Sequence, residues 1–223
     1  MKVAVDIAVF AVREGRLQAL LVRRGVPPYE GRWALPGGFL REDEDLEAAA
    51  RRELRDETGV KAAFLEQLAT FGAPRRDPRG RVLSVAYLAL LPLDAAAASA
   101  PAGGSDAAEA AWFDAGKLPS LAFDHADILA YARERLRWKL DWSTAGFGLV
   151  PERFTLTELQ RAFEAGLGRA IDKRNFRRKV LALKVLKATS GLRAEGLTRP
   201  ARLYEFVPAR FERLRERGVL FPF

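Results

Sequence analysis

The chain has 223 residues, a length that fits one or two domains, and its 49% hydrophobic and 30% charged content excludes a disordered, collagen-like or coiled-coil protein. The absence of cysteine also excludes disulfide scaffolds, zinc fingers and thiol nucleophiles, and no apolar run approaches the ~18 residues that span a bilayer, so a cytoplasmic protein is expected. The net charge of +8 is uneven: residues 151–223 hold 17 Lys/Arg against 8 Asp/Glu, a net of +9, and the first 150 residues are nearly neutral. Arginine-rich composition alone would not spare the first 150 residues, so one unit is expected to meet a polyanion while the other does something else.

The chain opens with an apolar run from Val3 to Val12, a turn at Glu14-Gly15 and a second run from Leu17 to Val22, which reads as a hairpin. A Pro/Gly-rich loop follows, and Asp45 to Thr58 are helix formers that stop at Gly59, a natural C-terminal cap. Val82–Leu91 reads as a strand of a second hairpin, preceded by Asp77-Pro78-Arg79-Gly80, whose residue types suit a type I turn. The alanine-rich stretch Asp94–Ala111 reads as a surface loop, and an amphipathic helix is expected from His125 to about Leu140.

Residues 143–150 read as a linker between a unit at 1–142 and a second at 151–223. In the second unit, Thr155 and Glu158 form a capping box, with Phe154 and Leu159 at hydrophobic-staple positions. Gly166 and Gly168 break the chain before Asp172 caps a second helix, for which Ile171, Phe176, Val180 and Leu183 are the expected buried contacts. A strand near Val185–Ala188, a loop with Gly191 and Gly196 and a strand at 202–206 complete the outline of a winged helix-turn-helix.

Two constellations in the first unit carry chemistry. Glu53, Asp56 and Glu57 stand at i, i+3 and i+4, so they share a helical face, and Glu44 arrives from the preceding loop. Four acids together call for a hard cation, Mg²⁺ or Mn²⁺, whose usual partner bears phosphate. A solvated acidic face paired with Arg51, Arg52 and Arg55 is the other reading. The loop Arg75, Arg76, Asp77, Arg79 and Arg81 could grip a pyrophosphate with guanidinium forks, or be only a charged turn. The single histidine, His125, beside Asp124 at a helix start, reads as structural more readily than as a general base. Asp106 and Glu109 are other possible bases that no spacing rule selects.

In the second unit, Lys173, Arg174, Asn175, Arg177, Arg178 and Lys179 crowd the first turns of the second helix, the end that helix-turn-helix proteins present to the major groove. Arg193 and Arg199 lie on the wing-like hairpin. These eight residues are the expected contacts to double-stranded DNA.

The spacing of Gly38, Glu44, Arg52-Glu53-Leu54, Asp56-Glu57 and Gly59-Val60 resembles the Nudix box, with Asp56 where the family has Glu. The resemblance implies a Nudix fold, a mixed sheet between helices, and a site for a nucleoside diphosphate linked to another moiety. It implies Glu53 and Glu57 as principal metal ligands and, if hydrolysis occurs, as catalytic residues with Arg52. Glu44, Asp56 and the Gly37 carbonyl would assist. Asp56 keeps the charge and loses a methylene of reach, which bears on hydrolysis more than on metal binding.

Both halves together resemble the Nudix-related transcriptional regulators of NAD metabolism, NrtR. The motifs are Leu35-Pro36-Gly37-Gly38-Phe39, Arg76-Asp77-Pro78-Arg79, Ser84-Val85-Ala86-Tyr87, Leu121-Ala122-Phe123-Asp124-His125, and the segments 154–160, 172–179 and 199–206. The resemblance implies a homodimer that represses NAD-biosynthesis or salvage genes from a palindromic operator and leaves DNA when ADP-ribose fills the Nudix pocket, with Arg75, Arg76, Asp77 and Arg79 as ligand contacts. The alternative is a Mg²⁺-dependent ADP-ribose pyrophosphatase with an accessory C-terminal unit.

Overall fold

The computed structural model describes residues 1–92, 107–194 and 199–216. The first hairpin joins β1 (Lys2–Arg13) to β2 (Arg16–Arg24). Its turn residues Glu14 and Gly15 both have positive φ (51° and 72°), the backbone a two-residue hairpin turn demands. Two short strands, β3 (Trp33–Ala34) and β4 (Gly37–Phe39), then pair with β2 and β1, and α1 (Leu46–Thr58) follows. The Asp45 side chain accepts the Ala48 N–H and Gly59 closes the helix at φ 71°, so both ends fall where the sequence places them.

Next come β5 (Phe64–Phe71), β6 (Val82–Leu91) and β7 (Ala107–Asp114), which complete a seven-stranded mixed sheet ordered β3-β2-β1-β6-β5, with β4 also on β1 and β7 on β2. Strands β1 and β6 run parallel, whereas β5 and β6 are the expected antiparallel hairpin. The alanine-rich stretch needs correction at its end. Ala107–Ala111, read as loop, belong to β7, because the edge of β2 supplies hydrogen-bond partners that weak strand formers do not announce. The rest of that stretch, including Asp106, lies outside the described residues.

Strand β1 is apolar from Ile7 to Val12 because both of its faces are covered there. Val5, Ile7, Val9 and Ala11 pack with Ala49, Ala50 and Leu54 of α1. Ala8, Phe10 and Val12 face the opposite core, built with Ile128, Leu129, Leu136 and Leu140 of α2 (His125–Trp142).

That second core continues into the C-terminal unit. Residues 143–150 form a 3-10 helix, Thr144–Leu149, whose Ala145 and Leu149 are fully buried. Beyond it lie β8 (Arg153–Thr155), α3 (Leu156–Leu167), α4 (Lys173–Ala182), β9 (Leu186–Arg193), β10 (Ala201–Phe206) and α5 (Pro208–Glu216). Strands β8, β10 and β9 make a small antiparallel sheet beside the two helices, a winged helix. The capping box at Thr155/Glu158 is complete in both directions, and Asp172 caps α4 through the Asn175 N–H.

Three details differ from expectation. Gly166 lies inside α3, and the helix ends instead at Gly168, φ 71°. Gly166 is small because a Cβ there would meet a Leu140 methyl at 2.4 Å, just as one at Gly146 would meet the Phe163 ring at 2.5 Å. Of the four contacts expected of the second helix, Phe176 and Val180 in α4 are fully buried, while Ile171 before it and Leu183 just after it are only partly so. Gly191 sits within β9, and Gly196 is outside the described residues. Among the described residues no helix is long and apolar enough to cross a membrane.

Candidate functional site

A cavity of about 260 Å³ opens where β1, β4, α1, the 72–81 loop and the start of α2 meet. Two glycines bring its acidic wall close to the sheet. A Cβ on Gly38 would stand 2.2 Å from a Glu53 carboxylate oxygen, and the Gly37 N–H donates to Glu57 Oε2 at 2.9 Å. Glu53, Asp56 and Glu57 all line the cavity, as their helical spacing implies. Glu53 and Glu57 are buried, whereas the Asp56 side chain is 41% exposed.

Arg52 organises this wall. Its Nε and Nη2 donate to Glu44 at 2.8 and 2.5 Å, and its Nη1 donates to Glu53 at 2.6 Å. The hydrogen bond from Arg52, with a smaller one from the Arg41 N–H, holds the Glu44 carboxyl down to about 2. Glu44 is therefore committed to Arg52 and does not line the cavity.

Among the described residues no three acidic or imidazole groups converge as ligands for one ion. The donors are of the hard oxygen type that Mg²⁺ or Mn²⁺ prefers. In their present pairing, however, they do not fit a bound cation: Arg52 hydrogen-bonds both Glu44 and Glu53, and the Gly37 contact seen is its N–H on Glu57.

The floor is a buried charge network. Arg76, with 3% of its side chain exposed, donates to Asp124 at 2.6 and 2.9 Å and to Asp6 at 3.2 Å. Burial disfavours the charged guanidinium, yet the two carboxylates outweigh it and keep Arg76 protonated. Asp6 also accepts from the Ser84 hydroxyl and lies 3.4 Å from His125 Nε2. His125 Nδ1 accepts the Leu35 N–H at 2.9 Å, a bond that assigns the neutral tautomer with its proton on Nε2. Burial pushes the imidazole pKa down against the pull of Asp6, so His125, which also lines the cavity, is held neutral.

The predicted Arg75–Arg79 contacts divide. Arg76, Asp77 and Arg79 line the cavity, but Arg75 is exposed outside it. Asp77 is buried and accepts the Arg79 guanidinium at 2.7 to 3.2 Å, and that bonding outweighs burial to lower its pKa. The Gly80 N–H donates back to the Asp77 carbonyl, which closes the expected turn.

Sequence reasoning missed Arg24, Phe39, Arg41 and Phe123, all of which line the cavity. The Arg41 guanidinium makes no hydrogen bond among the described residues. Phe39 and Phe123 lie in two of the motifs that carry the family resemblance, but no local signal assigns any of the four to a site, since sheet pairing and the path of the α2 N-terminus bring them together. Of the two other candidate bases, Glu109 is on β7, 3.7 Å from Arg23.

On the winged helix, Lys173, Arg174 and Arg178 are exposed along α4, and Arg199 is exposed on the hairpin. Arg178 donates to Asn175 Oδ1 at 2.9 Å, and Lys179 is partly buried. Arg177 and Arg193 face inward more than expected. Arg177 donates to Thr157 on α3, and Arg193 donates to Glu158 at 2.8 Å and to the Arg153 carbonyl, which ties the wing to the capping box.

Residues 2–132 match the NUDIX domain family, and residues 146–206 match the NrtR DNA-binding winged helix domain. A protein of Acinetobacter baylyi described as an ADPR responsive transcriptional repressor, NtrR, is 40% identical over 204 residues, 91% of this chain and 80% of its own. The structure of Shewanella oneidensis NrtR complexed with a 27mer DNA is 37% identical with a TM-score of 0.80, covering 94% of this chain and 95% of that one. The NUDIX domain of the same Shewanella protein, complexed with ADP ribose, is 37% identical with a TM-score of 0.55, covering 60% and 87%. The chain thus belongs to the NrtR family, in which a Nudix domain is fused to the NrtR winged helix.

Proposed function

We propose that this protein is a transcriptional repressor of NAD-biosynthesis or salvage genes that binds DNA through α4 and the wing, and is released when ADP-ribose occupies the Nudix cavity. The observation that carries the reading is the continuous core joining the two sites. Helix α2 begins at the cavity floor, where Asp124 holds Arg76, and ends with Leu140 packed against Gly146 and Gly166 of the DNA-binding unit. A ligand that moves the floor thereby acts on α3, against which α4 packs.

The cavity suits a nucleoside diphosphate: Arg24, Arg41 and Arg79 are cationic, Phe39 and Phe123 are aromatic, and the acidic wall can accept ribose hydroxyls. On the DNA side, Lys173 and Arg174 in the first turn of α4 are placed for a major groove. The protein acts as a homodimer on a palindromic operator, in keeping with the two-fold logic of helix-turn-helix binding, with domains at 1–142 and 151–223 joined through 143–150. ADP-ribose releases DNA by favouring a dimer geometry in which the two α4 helices no longer match successive grooves.

Repression, rather than pyrophosphate hydrolysis, is favoured by the Arg52 pairs that occupy Glu44 and Glu53. The test is a gel shift with a promoter fragment. DNA affinity unchanged by saturating ADP-ribose refutes the sensing role.

A further inference from the structure

A second cleft, of about 460 Å³, lies between the Nudix unit and the winged helix and shares no lining residue with the Nudix cavity. Its walls are the turn of the first hairpin with Arg16, the 114–116 turn after β7, Arg133 of α2, and Arg161, Glu164 and Arg169 of α3 and the turn that follows it. Arg137, one turn along α2 from Arg133, reaches the same place, since a Cβ on Gly168 would stand 3.4 Å from its Nη2. Five guanidinium groups thus gather with two carboxylates. Each carboxylate already has its donors: Asp114 accepts from the Gly116 N–H at 2.7 Å and from Arg16 at 3.2 Å, and Glu164 accepts from the Gln160 amide at 3.1 Å and the Ile171 N–H at 2.9 Å. We infer that this cleft is a second anion site, which takes phosphate groups independently of the Nudix cavity.

The two arginines of α2 lack a counter-charge. Among the described residues Arg133 pairs with no carboxylate, its guanidinium donating only to the Ala115 carbonyl at 3.3 Å, and the Arg137 side chain has neither a hydrogen bond nor an ion pair. Like charges at i and i+4 on a helix repel, and an anion lying beside them removes that cost. The last carbonyls of α3 attract a cation, but a helix terminus carries only about half an elementary charge, which one guanidinium satisfies. All five cations are arginines, whose planar forks bind phosphate oxygens in pairs. The volume falls in the ~300–1,000 Å³ range of small-molecule sites and holds more than a single phosphate. Two sources share this chemistry. Arg169 lies just before Asp172, the cap of α4, so the cleft adjoins the helix end placed for the major groove, and the DNA backbone beside that groove is one source. A soluble diphosphate or polyphosphate, which would tie α2 to α3, is the other.

The test is a calorimetric titration of the full-length protein with inorganic pyrophosphate, with and without saturating ADP-ribose. One site per chain is expected to persist when ADP-ribose is present. Arg133→Gln and Arg161→Gln are each expected to weaken that site about tenfold, as loss of one charge-assisted contact implies. Arg161 is exposed on α3, so its variant reads the site without disturbing the fold. A gel-shift salt titration on a bound promoter fragment then separates the sources. Arg133→Gln lowers the salt slope by about 0.9 where a backbone phosphate is the occupant, and leaves it unchanged where the occupant is soluble. Absence of any pyrophosphate site that persists with ADP-ribose, or a site whose affinity is unchanged in both variants, overturns the inference and leaves the repressor reading in place.

Discussion

Replacing Arg76 by Met separates a structural role from a ligand-binding one. Met keeps much of the buried stem and removes the charge, so Asp6 and Asp124 lose their shared partner in a site where the arginine side chain is 3% exposed and the carboxylates 10% and 17%. Breaking a buried pair by deleting one member costs roughly 3–5 kcal/mol. Asp6 retains the Ser84 hydroxyl and its contact with His125, and Asp124 reaches some solvent, so the lower end, about 3 kcal/mol, is expected. For a protein of this size each kcal/mol moves the midpoint by ~2–4 °C, giving a drop of roughly 6–12 °C in Tm. Thermal and urea unfolding of the variant read this directly, and Arg76→Lys, which keeps the charge but loses the fork, should fall between it and the wild type. A Tm shift below about 2 °C together with collapse of ADP-ribose affinity would refute the reasoning and make Arg76 a ligand contact.

Stability should also fall as the pH drops below about 6.5, because burial lowers the His125 pKa and the unfolded chain therefore takes up the proton first; urea midpoints should decline on acidification from there, and less so in His125→Asn. On DNA, Arg174→Ala should weaken binding and reduce the salt slope by about 0.9 for one lost phosphate contact, whereas Arg177→Ala, whose guanidinium is bonded to Thr157, should act mainly by lowering Tm. Chelation of divalent cations should change the ADP-ribose Kd by less than about threefold, since Glu44 and Glu53 are already bonded to Arg52; a tenfold loss in calorimetry contradicts this. Gly166→Ala drives a methyl into Leu140 and should destabilise by roughly 1–3 kcal/mol in urea unfolding, with the DNA response to ADP-ribose blunted in the folded fraction.

Local chemistry made much of this fold legible. Asp45 and Gly59 delimit α1, Glu14-Gly15 marks the first hairpin, and Thr155 with Glu158 announces α3, because caps and turns are decided by a few adjacent residues. Strands β7 and β8 were not legible. The alanines of β7 carry little strand preference until β2 offers an edge, and β8 has three residues that pair only with β10, some fifty positions later. The acidic helical face follows from the 3.6-residue period, yet its state does not: that Arg52 ties Glu44 to Glu53 is a matter of side-chain packing.

The same holds for the charged loop. Its guanidinium-rich composition is plain, but Arg76 is buried because Asp6 and Asp124, 70 and 48 residues away, converge on it, while Arg75 points away. The aromatic pair at the cavity mouth arises in the same fashion, Phe39 from a three-residue strand and Phe123 from a strained residue just before α2. Long-range pairing sets these positions.

The most direct test of the account is a mobility-shift titration of ADP-ribose against the protein bound to a fragment of its source genome, with AMP assayed in the same samples. The account predicts a specific fragment that is released as ADP-ribose rises, with no AMP formed. AMP accumulating with no fragment specifically bound would contradict it and make the protein an enzyme.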